Sequence, residues 1–152
     1  MRSPANLIAK PGVPGLEINE RANKDFQLNK HLYERVGNQW AWNDKLVWPD
    51  WLWKEYAEAE NLRTWVASFE GALAGYYELQ IQAGGQVEIA YFGLLPEFIG
   101  QGLGGYLLTT AIKSAWSMDA SRVWLHTCSL DHPGALGNYQ ARGMKIYKTE
   151  IS

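Results

Sequence analysis

Apolar residues recur along this chain with a helical period in some stretches and in compact strand-like runs in others. Between residues 25 and 36, the positions Phe26, Leu28, Leu32, Tyr33 and Val36 keep a helical spacing that ends at Gly37. A strand over 15–21 precedes this helix. A second helix is predicted over 49–58, because Pro49 suits a first helical turn and Asp50 is favourable near its N-terminus. The stretches 64–69 and 73–81 read as strands joined by the Glu70-Gly71 turn. Ala83-Gly84-Gly85 then turns the chain into a long strand over 87–95 that Pro96 stops. After a run of glycines, a helix over 103–118 carries Leu108, Ala111, Ile112 and Ala115 as its apolar stripe. A strand over 123–127, a helix from Pro133 to Arg142 closed by Gly143, and a strand over 144–149 complete the pattern.

The predicted order is β-α-α-β-β-β-α-β-α-β. A meander followed by strand–helix alternation predicts an α/β fold of mixed α+β character. Its central mixed, mostly antiparallel sheet would carry helices on both faces. The 152 residues are expected to form a single domain over 1–152, with 1–14 as a loose lead-in.

Composition narrows the function classes. Hydrophobic residues at 47% and charged residues at 20% describe an ordinary water-soluble globule. A net charge of −2, with no two Lys or Arg adjacent, argues against nucleic acid as the main partner. No stretch approaches the roughly 18 apolar residues of a membrane span, and the N-terminus lacks a signal-type apolar core, so no membrane partner is expected. The single cysteine, Cys128, excludes an intramolecular disulfide framework and fits the reducing cytoplasm. Eight tryptophans are more than ordinary usage, and five of them fall between Trp40 and Trp53.

The chemistry concentrates in the run Phe98-Ile99-Gly100-Gln101-Gly102-Leu103-Gly104-Gly105-Tyr106. Glycines leading into a helix leave backbone N–H groups open to a phosphate or pyrophosphate. Read literally, Gly100-x-Gly102-x-x-Gly105 spells the dinucleotide fingerprint. In a dinucleotide-binding unit, however, the first glycine ends the first strand and most of the domain follows it. Here Pro96-Glu97-Phe98-Ile99 intervenes and the run comes late in the chain. A P-loop is excluded because no Gly-Lys-Ser/Thr closes the run.

The stretch from Leu94 to Gly104 resembles instead the acyl-CoA-binding motif of the GNAT superfamily of N-acetyltransferases, Arg/Gln-x-x-Gly-x-Gly/Ala. The later stretch Ala135-Leu136-Gly137-Asn138-Tyr139-Gln140-Ala141-Arg142-Gly143-Met144 resembles that family's second signature, Ala-x-x-x-Tyr-x-x-x-Gly-Phe. Three positions depart from the pattern. Ile99 stands at the Arg/Gln position, Met144 replaces Phe, and His132 falls where an Asn often meets the pantetheine arm.

The resemblance implies acetyl-CoA, or another acyl-CoA, as co-substrate, with no metal. It implies that N–H groups around Gln101, Gly102, Leu103, Gly104 and Gly105 hold the pyrophosphate. Phe92 and Leu94 would lie along the pantetheine, with His132 near it, and the Leu94 N–H would face the thioester oxygen. Tyr139 would protonate the departing thiolate. Gly93, in mid-strand, is consistent with a bulge that opens the strand for the cofactor.

The acceptor half carries no assignable motif. Glu88 on the strand beside the cleft is the leading general base, and Glu78 on its neighbour is the second carboxylate. The two could equally hold a cationic amine. His126 and Cys128 share a strand face, but a covalent Cys–His route is disfavoured because a lone Cys on a buried strand is usually a small hydrophobe. His126 and His132 remain base or substrate-contact candidates, and Asp131 suits a helix cap. Trp65, Trp116 and Trp124 are expected in the core. Trp48, Trp51 and Trp53 suit helix packing, whereas Trp40 and Trp42 are placed to line an acceptor pocket.

The expected activity is acetyl transfer to a primary amine of a small molecule, by direct attack in a ternary complex. A non-catalytic acyl-CoA sensor and a protein or peptide acceptor are the alternatives. A homodimer is an open possibility.

Overall fold

The computed structural model describes residues 1, 3–21, 23–37, 45, 47–125 and 135–144. Strands β1 (Leu16–Glu20), β2 (Leu62–Phe69), β3 (Ala72–Ile81), β4 (Gln86–Leu94) and β5 (Arg122–Leu125) form one sheet in sequential order. The first four pair antiparallel, and β5 joins β4 in parallel. The helices are α1 (Phe26–Gly37), α2 (Asp50–Ala57), α3 (Gly104–Trp116) and α4 (Ala135–Ala141). A parallel neighbour requires a crossover, and α3 supplies it between β4 and β5.

Local sequence explains the two longest helices, α1 and α3. Asp25 caps α1 by accepting the Gln27 N–H at 3.0 Å. The α1 positions Asn29, Leu32, Tyr33 and Val36 are buried at helical spacing. On α3 the buried stripe comprises Leu107, Leu108, Ala111, Ile112 and Ala115. It packs on Trp65, Ala67, Tyr77, Leu79, Val87, Ile89 and Val123 from one face of the sheet. Leu32 and Val36 pack with Tyr76 and Leu95 on the other face. Helices therefore cover both faces, as the pattern predicts, and each fully buried Leu contributes about 2 kcal/mol.

Several expectations change. The extra residue in β4 is Ala90, not Gly93: Glu78 pairs with Tyr91 and Leu79 with Ile89, while Gly93 pairs regularly with Tyr76. Within the sheet a close approach requires Gly75, where a Cβ would strike the Gly93 carbonyl oxygen and stand 3.1 Å from Leu94 Cα.

Residues 1–14, expected as a loose lead-in, are tied down at several points. Met1 exchanges backbone hydrogen bonds with Val123, the Ile8 N–H donates to the Arg142 carbonyl at 2.8 Å, and the Lys10 N–H donates to Thr109 Oγ1 at 3.0 Å. Hydropathy patterning does not register attachments of this backbone kind.

Trp116 is half-buried and packs against the core as expected, whereas Trp124 is half-buried and its indole N–H donates to Gln82 Oε1 at 3.2 Å. Trp51 is 67% exposed and does not pack as expected. The strand expected over 144–149 falls, beyond Met144, outside the described residues. So does the end of the strand expected over 123–127.

Candidate functional site

The glycine run is an open cradle. After a single 3-10 turn at Pro96–Phe98, Gly100 and Gly102 adopt φ of +83° and +79°, where L side chains are strained. Beyond their chain neighbours, no heavy atom of the described residues lies within 4 Å of where their Cβ atoms would stand. Gln101 turns away, its Nε2 donating to the Glu97 carbonyl at 2.8 Å. Helix α3 begins at Gly104 with Leu103 at its N-cap and no side-chain cap. The first N–H groups of a helix have no intrahelical partner and carry its positive end.

Two cations reach this helix start. A Cβ on Gly105 would lie 2.5 Å from Lys10 Cδ and 2.8 Å from Arg142 Nη1, so the absence of a side chain makes room for both. Arg142 Nε is buried with no hydrogen-bond partner among the described residues. Asn138 Nδ2 donates to the Gly104 carbonyl at 3.1 Å and locks α4 against the cradle.

Phe92, Leu94 and Tyr139 come together on the α3 face of the sheet. The Tyr139 ring is 7% exposed and meets Phe92 edge-on, with centroids 6.2 Å apart. Both Phe92 and Leu94 pack against the core cluster that contains Tyr139. The Leu95 N–H donates to the Ala74 carbonyl on β3 at 2.7 Å. Strand alternation therefore turns the Leu94 N–H toward the opposite edge of β4, the side on which β5 pairs.

The two carboxylates sit on the α1 side of the sheet in different surroundings. Glu78 is 1% exposed. Its Oε2 accepts Asn29 Nδ2 at 2.7 Å and its Oε1 accepts the Tyr56 hydroxyl at 2.5 Å. Asn29 also donates to Thr64 Oγ1 at 2.9 Å. Acceptance at both oxygens is the pattern of an ionised carboxylate. Burial nevertheless raises the Glu78 pKa, against the opposing pull of the Tyr56 and Asn29 hydrogen bonds and the Lys45 charge. Burial, then the Glu78 charge, hold the Tyr56 phenol well above its ordinary value.

Glu88 is half-buried, pairs with Gln80 on β3, and accepts Gln82 Nε2 at 2.9 Å. The Ala90 bulge resets the alternation of β4, so Glu88 and Tyr91, three residues apart, fall on the same face as Glu78.

Lys45 closes this region. Its Nζ lies 2.8 Å from the Tyr91 hydroxyl and 4.6, 4.9 and 4.7 Å from the ring centroids of Trp48, Tyr56 and Tyr91. Tyr33 and Trp53 support those rings through edge contacts, Tyr33 to Tyr91 and Trp53 to Trp48, at 5.4 and 5.5 Å.

Sequence reading anticipates Glu78 here but misses Asn29, Lys45, Tyr56 and Tyr91. Asn29 leaves a usable signal, a polar residue inside the apolar stripe of α1. Lys10 and Arg142 leave none, since the cradle draws them from remote segments. Trp40, Trp42, His126, Cys128, Asp131 and His132 lie outside the described residues.

Among the described residues, no three His, Cys, Asp or Glu gather as metal ligands, and no helix is long and apolar enough to cross a membrane.

Comparisons with known proteins agree on the fold. An aminoglycoside acetyltransferase from an uncultured soil metagenomic sample, solved with trehalose, superposes with a TM-score of 0.71 at 15% identity, covering 91% of this chain and 93% of that one. A GNAT family acetyltransferase from Elizabethkingia anophelis with acetyl-CoA bound gives 0.68 at 20% identity, over 90% of this chain and 80% of that one. A Bacillus subtilis acetyltransferase in complex with CoA gives 0.67 at 22%, over 88% and 78%. A search of curated protein sequences finds no match. The model of the acetyltransferase (GNAT) family matches residues 20–144, across the sheet, the glycine cradle and Tyr139, and the chain belongs to that family.

Proposed function

We propose that the protein transfers an acetyl group from acetyl-CoA to a primary amine of a small molecule, by direct attack in a ternary complex. The observation that carries this reading is the open cradle at Gly100 and Gly102, set at the uncapped start of α3 beside the Phe92–Tyr139 contact. Support for the acceptor class comes from the aminoglycoside acetyltransferase neighbours.

The residues fit the co-substrate. The N–H groups from Gln101 to Gly105 would take the pyrophosphate, with Lys10 and Arg142 supplying positive charge where Ile99 supplies none. Phe92 and Leu94 would flank the pantetheine. When bound, acetyl-CoA supplies an acyl group activated as a thioester. The Leu94 N–H would donate to the oxygen that gains charge, and Tyr139 would give its phenolic proton to the departing sulfur. Glu88, half-buried with solvent access, would take the proton the amine must lose. Glu78, enclosed by Asn29 and Tyr56, suits holding a cation better than exchanging protons with solvent.

Thiol release from acetyl-CoA across a panel of small amines tests the proposal, with CoA-dependent thermal stabilisation as the binding control. Amine-dependent thiol release is expected. Stabilisation by CoA with no turnover on any amine would favour the sensor, and no CoA binding at millimolar concentration would overturn the reading.

A further inference from the structure

Lys45 is a primary ammonium held as a ligand would be. Three aromatic rings, Trp48, Tyr56 and Tyr91, stand within 5 Å of its Nζ, and the Tyr91 hydroxyl accepts a hydrogen bond from it. Ring faces within about 6 Å attract a cation through their quadrupoles, and aromatic cages of this kind recognise alkylammonium groups. The charge of Lys45 also acts on the buried carboxyl of Glu78, itself fixed by Tyr56 and Asn29. Three rings around one cation, one of them hydrogen-bonded to a buried carboxyl, make a site for one positive charge on an alkyl stem.

The site is built by rigid elements but filled from a loop. Tyr91 comes from β4 and Tyr56 from α2, whereas Lys45 precedes α2 and is anchored there by its backbone N–H, which donates to the Tyr33 hydroxyl at 3.1 Å. Lys45, Trp48, Tyr56 and Tyr91 are all half-buried, so the cage opens to solvent. It also lies on the sheet face that carries Glu88, whose neighbour on that face of β4 is Tyr91.

We propose that Trp48, Tyr56, Tyr91 and Glu78 form the subsite for the charged end of the acceptor, and that Lys45 occupies it as an internal stand-in until an alkylammonium displaces it. This rests on the acetyl-transfer reading above and adds the acceptor class, an alkylamine that carries a positive charge into the cage. It also adds a regulation: acceptor binding competes with the chain's own lysine. If Lys45 fills the cage in about nine molecules of ten, its removal raises apparent affinity about tenfold.

The test is calorimetric binding of n-butylamine, protonated at neutral pH, to the wild type, Lys45→Met and the double variant Lys45→Met/Glu78→Gln, with 1-butanol as the uncharged control. Lys45→Met is expected to bind n-butylammonium about tenfold more tightly than the wild type and 1-butanol no better, and the double variant is expected to lose the gain. A folded Lys45→Met with no gain overturns the proposal.

Should Lys45→Met not fold, the wild type alone decides. Tetramethylammonium chloride is expected to raise acetylation of Lys45 by an N-hydroxysuccinimide ester several-fold over sodium chloride of equal strength, with Lys54 and Lys113 unchanged, read by mass spectrometry. Unchanged Lys45 labelling overturns it. CoA-dependent thermal stabilisation of the same proteins reports the cofactor side separately, so loss of one reading is distinguishable from loss of the other.

Discussion

The ring of Tyr139 on α4 meets the ring of Phe92 on β4 edge to face, with planes at 70°. That contact joins the second signature stretch to the strand that leads into the first. It also holds the phenol at the side of the strand along which the cofactor is proposed to lie. Such a ring contact is worth about 1 kcal/mol and is made by carbon atoms, so it survives removal of the hydroxyl.

Tyr139→Phe therefore separates packing from chemistry. Thiol release is expected to fall by about 10²-fold, the lower range for loss of a general acid. CoA binding by calorimetry should stay near wild type. Turnover within threefold of wild type would remove Tyr139 from the proposed mechanism.

Much of this fold is legible in the sequence, because its apolar stripes are regular and its turns carry glycine or proline. The stripe of Leu108, Ala111, Ile112 and Ala115 is buried on α3 as its spacing predicts. The glycine cradle is legible for a similar reason, since glycines at fixed offsets have a geometric cause. The aromatic cage around Lys45 is not. Its rings come from α2 and β4 and a loop, and Tyr91 reaches the Glu78 face only through the Ala90 bulge, which breaks the alternation that a sequence reading assumes. Lys10 is equally hidden, being brought to Gly105 by a segment with no apolar period.

Gly75 and Gly102 should fail in different ways when changed to alanine. At Gly75 the added Cβ meets backbone, the Gly93 oxygen and Leu94 Cα, which cannot step aside. Gly75→Ala is expected to cost about 2–3 kcal/mol in urea unfolding, as overpacking does. At Gly102 space is open and the cost is the left-handed φ, about 1–2 kcal/mol. Gly102→Ala should weaken CoA binding about tenfold with a smaller stability loss. Equal effects of both changes on CoA affinity and on stability would contradict the cradle.

Lys10 and Arg142 supply charge that a phosphate would feel and a pantetheine would not. Lys10→Ala and Arg142→Ala are each expected to weaken CoA binding about tenfold or more, from the lower end (about 1.5 kcal/mol) of the range for hydrogen bonds to charged groups. Both should leave acetyl-pantetheine unchanged, and the loss should shrink as salt rises. Competition binding with the two thioesters at 50 and 500 mM salt reads the difference. An equal loss for acetyl-pantetheine would make these residues structural.

Glu78 imposes a pH dependence on stability whose sign follows from its burial. Its folded pKa lies above that of the unfolded chain, about 4.3 for a free Glu. The stability it contributes is complete below that value and is lost as pH rises through the raised folded pKa. Glu78→Gln cannot ionise and lacks this limb. The stability of the wild type relative to Glu78→Gln should therefore fall as pH rises from 4 to 8. Urea midpoints of the two proteins at matched pH isolate Glu78, because every other titrating group is common to both. A constant difference from pH 4 to 8 would mean that Glu78 titrates in the folded protein as it does in the unfolded one.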